Sequence, residues 1–387
     1  MIQLRKATRA TPGFIVLRTV SLLVISAIGC VSDERSQASN DRGTASGAVQ
    51  PNVAGAPILV LTDTIVLEET DSVFVGEPSG FVAASDGTFL IGDRRTNSVH
   101  HFASDGSRIK SFGSGGSGPG EFTAIGRIEL DGDSLVYVDN LRRLEVFDYR
   151  TGQFKRRKPV PQVVINSIVA QNGYIYINDV KHGRTHTVAA LRTDSDSIGY
   201  GGPYPGYLGR SRVVDEMFAI TLLARIGNRD SLAVAVQGTD HIYFGSFRTG
   251  SFDSLRIKVA RRQGARRDLL DKIDDANPAE AAQTALYKSS IPWAIGRLSS
   301  GHIAYVAADE FLLTNRLGAR LFVSLADPQS RSSCVDAPIP VEADPHPWAL
   351  LHRDTLLILS QNISAADRPY AVIRRYTLNA QRCQWVN

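Results

Sequence analysis

The sequence lacks a hydrophobic run long enough to span a membrane, and most of it lacks net charge. Its N-terminal apolar run, Val20–Ile28, covers nine residues, which is too short for a hydrocarbon core of ~30 Å. With 43% hydrophobic and 21% charged residues, the chain is too polar for a polytopic membrane protein and is expected to be globular. Four basic residues lie within the first 18 positions, and beyond them 39 basic and 39 acidic side chains remain. This balance does not supply the basic face of a nucleic-acid-binding protein.

The sequence also lacks the motifs that would assign a catalytic centre. The glycine-rich segment 113–122 has no Gly-Lys-Ser/Thr ending and no predicted helix after it, so it does not indicate phosphate binding. His182 and His186 have the spacing of helical zinc ligands but lack the His-Glu-x-x-His pattern. No Gly-x-Ser-x-Gly segment occurs. The sequence therefore assigns no catalytic residue, no metal ligand and no cofactor, and it leaves enzyme activity open.

The N-terminus carries a targeting pattern. A basic stretch and an apolar run close with Ala27-Ile28-Gly29-Cys30, which resembles the lipobox of bacterial lipoproteins. The resemblance implies a signal peptide at 1–29, acylation of Cys30, and anchorage to a lipid bilayer of the cell envelope, at the outer membrane or facing the periplasm. Residues 30–57 are rich in small and polar side chains and are predicted to form a flexible tether.

From about residue 58 onward, short β-type runs alternate with turn residues. The clearest unit runs from Phe81 to Phe112 and contains four predicted strands, joined by turns such as Asp86-Gly87 and Asp105-Gly106. The next unit repeats it, with Asp139 placed 46 residues after Asp93. Six units can be counted at spacings of about 41 to 55 residues, with one gap of about 73. A period of this length with four strands is typical of a propeller blade.

The linker between the first two units carries a family resemblance. Gly115–Phe122, which follows a predicted strand ending in Phe112-Gly113, resembles the inter-blade linker of NHL-repeat and related six-bladed β-propellers. The resemblance implies an all-β fold over residues 58–387, with six blades of four antiparallel strands. The strand-like segment Ile58–Leu67 precedes the first full unit, so it is expected to complete or edge the sixth blade and close the ring.

The long gap between the fourth and fifth units holds the only stretch of helical character, residues 264–290. Asn277-Pro278 can cap and begin a helix, and Glu280 is placed to close a capping box. A short helical insert is therefore predicted between blades 4 and 5.

Two pairs of residues are candidates for structural or binding roles. Cys334 and Cys383 lie late in consecutive units, in a compartment that permits disulfides. Outer strands of neighbouring blades diverge, however, so the sequence leaves the bond open. Trp293 and Trp348 open the last two units near the expected axis, where they could stack against a ligand or fill space between blades.

Three functional hypotheses follow from these patterns. The first is a monomeric, non-enzymatic binding or scaffolding module for a protein, peptide or glycan, with nucleic acid not expected as a partner. The second is a metal-dependent enzyme, similar to propeller lactonases or lyases, with its site at the central channel. A purely structural role in an envelope assembly cannot be separated from the first by sequence.

Overall fold

Runs of β-branched, aliphatic and aromatic residues form strands, and the Gly-containing turns between them reverse the chain. The computed structural model describes residues 58–70, 73–161, 165–179, 186–205, 220–227, 230–257, 291–309, 320–334, 336–340, 347–362 and 370–386. The predicted signal peptide, Cys30 and the tether therefore lie outside the described residues. No helix in the described ranges is long and apolar enough to cross a membrane.

The first half of the described chain forms three blades. A strand that precedes them is β1 (Leu59–Val66). Blade 1 contains β2 (Pro78–Ala83), β3 (Phe89–Asp93), β4 (Ser98–Phe102) and β5 (Arg108–Phe112). Two short strands, β6 (Ser114–Gly115) and β7 (Glu121–Phe122), pair in parallel within the connection to the next blade. Blade 2 contains β8 (Ile128–Asp131), β9 (Leu135–Asp139), β10 (Arg143–Asp148) and β11 (Phe154–Pro159). Blade 3 contains β12 (Ile168–Gln171), β13 (Tyr174–Asn178), β14 (Val188–Arg192) and β15 (Ile198–Gly201).

The second half of the described chain forms blades 4 to 6. Blade 4 contains β16 (Thr221–Arg225), β17 (Ser231–Val236), β18 (His241–Ser246) and β19 (Ser251–Arg256). Blade 5 contains β20 (Ile291–Arg297), β21 (Ile303–Asp309), β22 (Arg320–Asp327), β23 (Ser332–Cys334) and β24 (Ala337–Pro338). Blade 6 contains β25 (Trp348–His352), β26 (Thr355–Asn362) and β27 (Tyr370–Leu378). A 3-10 turn, Ala380–Arg382, and a final strand β28 (Trp385–Val386) follow.

The six sheets close into a ring. Within each blade the strands pair antiparallel in chain order, except that β24 of blade 5 pairs with β22, and the first strand of each blade contacts the first strand of the next. The first strand of blade 6, β25, contacts β2 of blade 1, so the ring has no gap. These observations confirm the predicted six-bladed β-propeller.

The core lies between facing sheets. Between blades 1 and 2, for example, the rings of Phe112 and Phe147 lie 5.0 Å apart, and Phe122 from the connecting linker packs against Phe147. Separate buried clusters fill the spaces between blades 2 and 3, 4 and 5, 5 and 6, and 6 and 1. A single blade would expose both faces of its sheet, so burial of apolar surface is obtained only by stacking blades.

Both chain ends tie blades together. Strand β1 pairs antiparallel with β27, with Ile65 opposite Ile373, and so provides the outer strand of blade 6. This confirms the predicted closing segment. Strand β28 instead pairs with β23 of blade 5, with Trp385 opposite Cys334.

The crossing of the C-terminal segment to blade 5 brings the two late cysteines together. Cys334 and Cys383 form a disulfide with their Cα atoms 5.5 Å apart, within the range that a disulfide can bridge. Divergence of outer strands does not separate them, because Cys383 precedes a strand that has left blade 6 and joined the edge of blade 5.

The predicted helical insert between blades 4 and 5 is corrected. The described residues contain no α-helix, and their one helical element is the 3-10 turn at Ala380–Arg382. The positions assigned to the insert, 264–290, lie outside the described residues. The capping pattern at Asn277-Pro278 is a local signal, and short helices are stabilised mainly by tertiary packing rather than by local propensity.

The glycine-rich linker lies between blades 1 and 2, as the sequence predicts. Gly113 has φ of +77°, and a Cβ there would lie 2.2 Å from the Phe122 ring. Arg157 on β11 donates to the Gly118 carbonyl at 2.8 Å and also to buried Glu145 at 2.8 Å. The linker is thus held against blade 2 by hydrogen bonds from within the protein.

Candidate functional site

The candidate site is the axial channel. The first strands of all six blades surround a cavity of about 480 Å³. Residues that begin these strands meet at one end, which we call the Trp348 end and which includes Arg127, Trp293 and Trp348. Residues that follow the same strands meet at the other end, which we call the Arg225 end and which includes Ser85, Asp133, Arg225, Arg297 and Arg353.

Both tryptophans predicted near the axis line the channel at the Trp348 end. Trp293 also packs against the core between blades 5 and 6, and its Nε1 donates to the Pro347 carbonyl at 2.8 Å. Trp348 packs against the core between blades 6 and 1. Each side chain therefore fills space between blades and contributes to the channel surface as well.

The sequence analysis did not single out Arg127, which reaches Trp348 from across the channel end. Its guanidinium carbon lies 4.3 Å from the centroid of the Trp348 ring, well within cation–π range. Arg127 belongs to blade 2 and Trp348 to blade 6, so the contact passes the inner strand of blade 1. Blade 1 packs closely against blade 2 at Gly80, where a Cβ would lie 2.8 Å from the Gly126 carbonyl oxygen. Gly80 in the first strand of blade 1 was the sequence signal for this close approach.

Asp139, at the end of β9, lies beside Arg127. Its side chain is 6% exposed, and its Oδ1 is buried with no hydrogen-bond partner among the described residues. A Cβ on Gly126 would lie 2.2 Å from its Oδ2, so the carboxyl group packs directly on that glycine. Burial raises the pKa of Asp139 to about 8, against the opposing charges of Arg127 and Arg94.

The charge on Arg127 is also perturbed by its surroundings. Burial lowers its pKa to about 10, and Arg94 acts in the same direction while Asp139 opposes it. Arg94 follows β3 of blade 1, where its Nε donates to the Ile125 carbonyl at 3.3 Å and its Nη1 lies 3.8 Å from Glu77. With a pKa of about 10, Arg127 remains charged at neutral pH.

The equivalent aspartate of blade 1 has a different environment. Asp93 accepts hydrogen bonds from the backbone N–H groups of Gly76, Glu77 and Arg95, at 2.8 to 2.9 Å. Burial opposes ionisation, but hydrogen bonds from His100 and from these backbone groups prevail, so the pKa of Asp93 lies below its ordinary value. In blade 2 the neighbouring residue, Asn140, accepts the corresponding backbone hydrogen bonds from Thr123 and Ala124. Asp139 is therefore not needed to accept backbone hydrogen bonds from the loop that enters blade 2.

The Arg225 end is more internally paired. Arg225 donates to Glu129 at 2.5 Å and to the Leu130 carbonyl at 2.8 Å. Burial raises the pKa of Glu129, and the adjacent Arg225 opposes that rise. Asp133 accepts a hydrogen bond from Ser85. The pKa of His352 is lowered by burial and by Arg353, so its imidazole is neutral at pH 7.

The channel lining has an excess of positive charge. Its described residues include four arginines, Arg127, Arg225, Arg297 and Arg353, against two carboxylates, Glu129 and Asp133. Because the walls have a low dielectric constant, an excess of one sign inside a channel attracts ligands of the opposite sign.

The described ranges contain no cluster of metal-binding side chains. No group there of three or more His, Cys, Asp and Glu side chains is arranged to hold an ion. His182 lies outside the described residues, and His186 bonds Asp179 at 2.9 Å.

Comparison with known proteins agrees with the fold. Residues 58–201, which span β1 and the first three blades, match the DUF5128 family, described as a 6-bladed beta-propeller. This match shows that the first half of the ring shares the architecture of that family. The chain matches none of the curated proteins with which it was compared.

Solved structures resemble the whole described ring. A protein from Bacteroides fragilis, described as a candidate exported protein, superposes with a TM-score of 0.61 at 12% identity, covering 83% of this chain and 96% of that one. A DUF4221 family member from Bacteroides vulgatus gives 0.59 at 12% identity, covering 82% and 97%. Virginiamycin B lyase from Staphylococcus aureus gives only 0.45 at 12% identity, covering 83% and 100%. At such identities the first two matches show a shared fold, and the third carries no argument about function.

Proposed function

We propose that this protein is an extracytoplasmic binding module that takes a peptide or glycan segment into its axial channel. The observation that carries the proposal is the open cavity of about 480 Å³, which lies within the range of ~300–1,000 Å³ common for ligand sites. Its lining combines tryptophan rings with charged side chains, and this mixture suits an amphipathic ligand. We expect the protein to act as a monomer.

The channel is tested by binding to peptide and glycan arrays with a variant that fills it. Ala83→Trp places a large ring at a lining position of blade 1. Ile109→Trp, on the outer strand of the same blade at a residue 50% exposed, is the matched control. Binding that survives Ile109→Trp and is lost in Ala83→Trp supports the channel.

Two further results decide against the proposal. Binding that persists unchanged in Ala83→Trp would place the site elsewhere, and absence of any bound peptide or glycan would contradict the ligand class. Thermal unfolding of both variants separates a blocked channel from a misfolded ring. Ala349→Trp, at a second lining position in blade 6, provides an independent block.

The proposed cellular location rests on the sequence pattern at the N-terminus. We propose that the chain is exported and anchored by acylated Cys30, and the fold-level likeness to a candidate exported protein supports export alone. The mass of the mature protein tests this, because acyl chains add to it and globomycin blocks the processing of lipoprotein precursors. Globomycin should cause the precursor to accumulate in the natural chain, and Cys30→Ser should lack the acyl mass. Processing that is insensitive to both changes would refute the anchor.

For the enzymatic alternative, a metal-dependent lactonase- or lyase-like propeller, no observation on the described channel residues favours catalysis over binding.

A further inference from the structure

The Trp348 end of the channel contains charged groups whose roles the fold does not account for. Arg127 makes its cation–π contact with Trp348, but no hydrogen bond or ion pair fixes its guanidinium in the described part of the chain. Beside it, Oδ1 of Asp139 is buried without a partner among those same residues. Buried polar atoms of this kind are normally satisfied, so an orphan atom suggests a missing water or ligand.

Packing does not explain why Asp139 is present. In blade 1 the matching aspartate binds the backbone of its incoming loop, but in blade 2 Asn140 performs that task. Asp139 instead packs against Gly126, close to two guanidinium groups with which it forms no direct ion pair in the described ranges. A buried carboxyl group with a pKa raised to about 8 is mostly neutral at pH 7 and can donate a hydrogen bond.

Arg127 has no ion pair of its own among the described residues. Asp139, whose charge would act on Arg127, is largely protonated at pH 7, and Glu77 lies 3.8 Å from Arg94 rather than at Arg127. A ligand with a single negative charge would balance the charge of Arg127. A carboxylate also matches the planar, bidentate geometry of a guanidinium group.

The space for such a ligand beside Arg127 is the channel itself, because Arg127 and Trp348 both line its cavity. Gly80 and Gly126 let blades 1 and 2 pack closely at this point, since a Cβ on Gly80 would lie 2.8 Å from the Gly126 carbonyl oxygen. The only large side chain shown to contact the guanidinium there is the ring of Trp348, counting the described residues alone. An apolar ring on one side and an unpaired cation above it suit the carboxylate of a small, partly apolar or sugar-like acid.

We propose that the Trp348 end of the channel binds the carboxylate of a small monoanionic ligand, with Arg127 as its cationic contact, and that Arg94 and Asp139 act on the site through their electrostatic effect on Arg127. The proposal rests on the channel being the binding site, as set out under the proposed function.

The test uses the full chain in a neutral detergent and three small probes. D-glucuronate carries one carboxylate, D-glucose is its uncharged counterpart, and sulfate is a dianion. Calorimetric titration at pH 7 should show glucuronate binding at least about tenfold more tightly than glucose, because hydrogen bonds between charged groups contribute more than neutral ones. Absence of glucuronate binding, or preference for sulfate, would overturn the monoanion assignment.

Variants locate the binding. Arg127→Met should weaken glucuronate binding by about tenfold or more. Arg297→Met removes an arginine from the opposite, Arg225 end of the channel and should weaken binding less than Arg127→Met does. An equal loss in both variants would indicate only the general positive charge of the channel, and it would contradict a defined site at the Trp348 end.

The pH dependence of glucuronate affinity tests the role of Asp139 separately from that of Arg127. The charged groups acting on it are Arg127 from its own blade and Arg94 from blade 1, the latter paired with Glu77. Glucuronate affinity should fall between pH 7 and 9, because Asp139 ionises and its negative charge then offsets the positive charge of Arg127, whereas Asp139→Asn stays uncharged and should bind independently of pH over that range. An unchanged pH profile in Asp139→Asn would remove Asp139 from the site.

Failure of this inference can be told apart from failure of the proposed function. If Ala83→Trp abolishes array binding while Arg127→Met has no effect on it, the channel remains the binding site and the carboxylate assignment is wrong. If Ala83→Trp has no effect on array binding, the channel itself is wrong.

Discussion

Asp93 and Asp139 hold the same position in blades 1 and 2, yet the carboxyl group of Asp93 accepts three backbone hydrogen bonds while Oδ1 of Asp139 accepts none from the described residues. The same residue type at the same place in a repeated sheet therefore has opposite pKa shifts. The pKa of Asp93 is lowered and that of Asp139 is raised to about 8.

These shifts predict opposite effects of pH on stability. The folded-state pKa of Asp93 is depressed, so its contribution is present above its unfolded pKa and is lost as pH falls through the folded value. Asp139 keeps its proton in the folded state between about pH 4 and 8 while the unfolded chain releases it. Stability should fall over that interval, by at most about 1.4 kcal/mol per pH unit.

Replacement of each aspartate by asparagine tests this pair. Asp93→Asn should destabilise the protein at pH 7 by about 1.5–3 kcal/mol, because hydrogen bonds to a charged acceptor are lost. Asp139→Asn should be neutral or stabilising at pH 8 and should flatten the decline between pH 5 and 8. Urea unfolding at several pH values measures both, and equal destabilisation by the two changes would contradict the assignment.

The contact between Gly126 and Asp139 predicts a steric effect. Gly126→Ala places a Cβ 2.2 Å from Oδ2 of Asp139, so the carboxyl group must move. We expect a loss of about 1–3 kcal/mol in unfolding free energy, as is usual for overpacking. Gly199→Ala is the control, because its Cβ would meet Phe247 at an ordinary 3.6 Å. If both variants unfold at the same urea concentration, the close approach at Gly126 is refuted.

Because β1 closes the ring, we expect the stability of the fold to depend strongly on Ile65. This side chain is 4% exposed between blades 6 and 1, whereas its neighbour Val66 is 54% exposed. Ile65→Ala should cost about 2–5 kcal/mol, and Val66→Ala should change stability by no more than about 0.5 kcal/mol. Chemical denaturation of the two variants provides the comparison. A mild effect of Ile65→Ala would mean that the ring holds without this strand.

The disulfide between Cys334 and Cys383 predicts that reducing agents lower the stability of the protein. Cys334 and Cys383 close a segment with a sequence separation of 49, for which the loss of chain entropy in the unfolded state corresponds to about 4 kcal/mol. Dithiothreitol should therefore lower the unfolding free energy by up to about that amount. The double variant Cys334→Ser, Cys383→Ser should be insensitive to the reductant. A natural chain that responds no more than the double variant would show that the bond is absent in solution.

The repeated strands were predictable because the information is local. Alternating apolar runs and turns such as Asp86-Gly87 and Asp105-Gly106 define blade 1 without any knowledge of its neighbours, and the predicted unit of four strands between Phe81 and Phe112 is confirmed. The pairing of the segment at Ile58–Leu67 with blade 6 was also predictable, because an unpaired strand before a set of repeats must find an edge. The helical insert shows the limit of this approach, because a capping pattern alone does not establish a helix.

The sequence by itself therefore determined the strands and their turns, since each depends on neighbours along the chain. The spacing of the units, together with the family resemblance, predicted six blades and the strand that closes the ring. Only the tertiary structure decided that Arg127 reaches Trp348, that Oδ1 of Asp139 is left without a hydrogen-bond partner among the described residues, and that the C-terminal strand crosses to blade 5. Those contacts join residues far apart in sequence. Their distances are set by how the blades stack around the axis, and no local pattern of residues encodes that geometry.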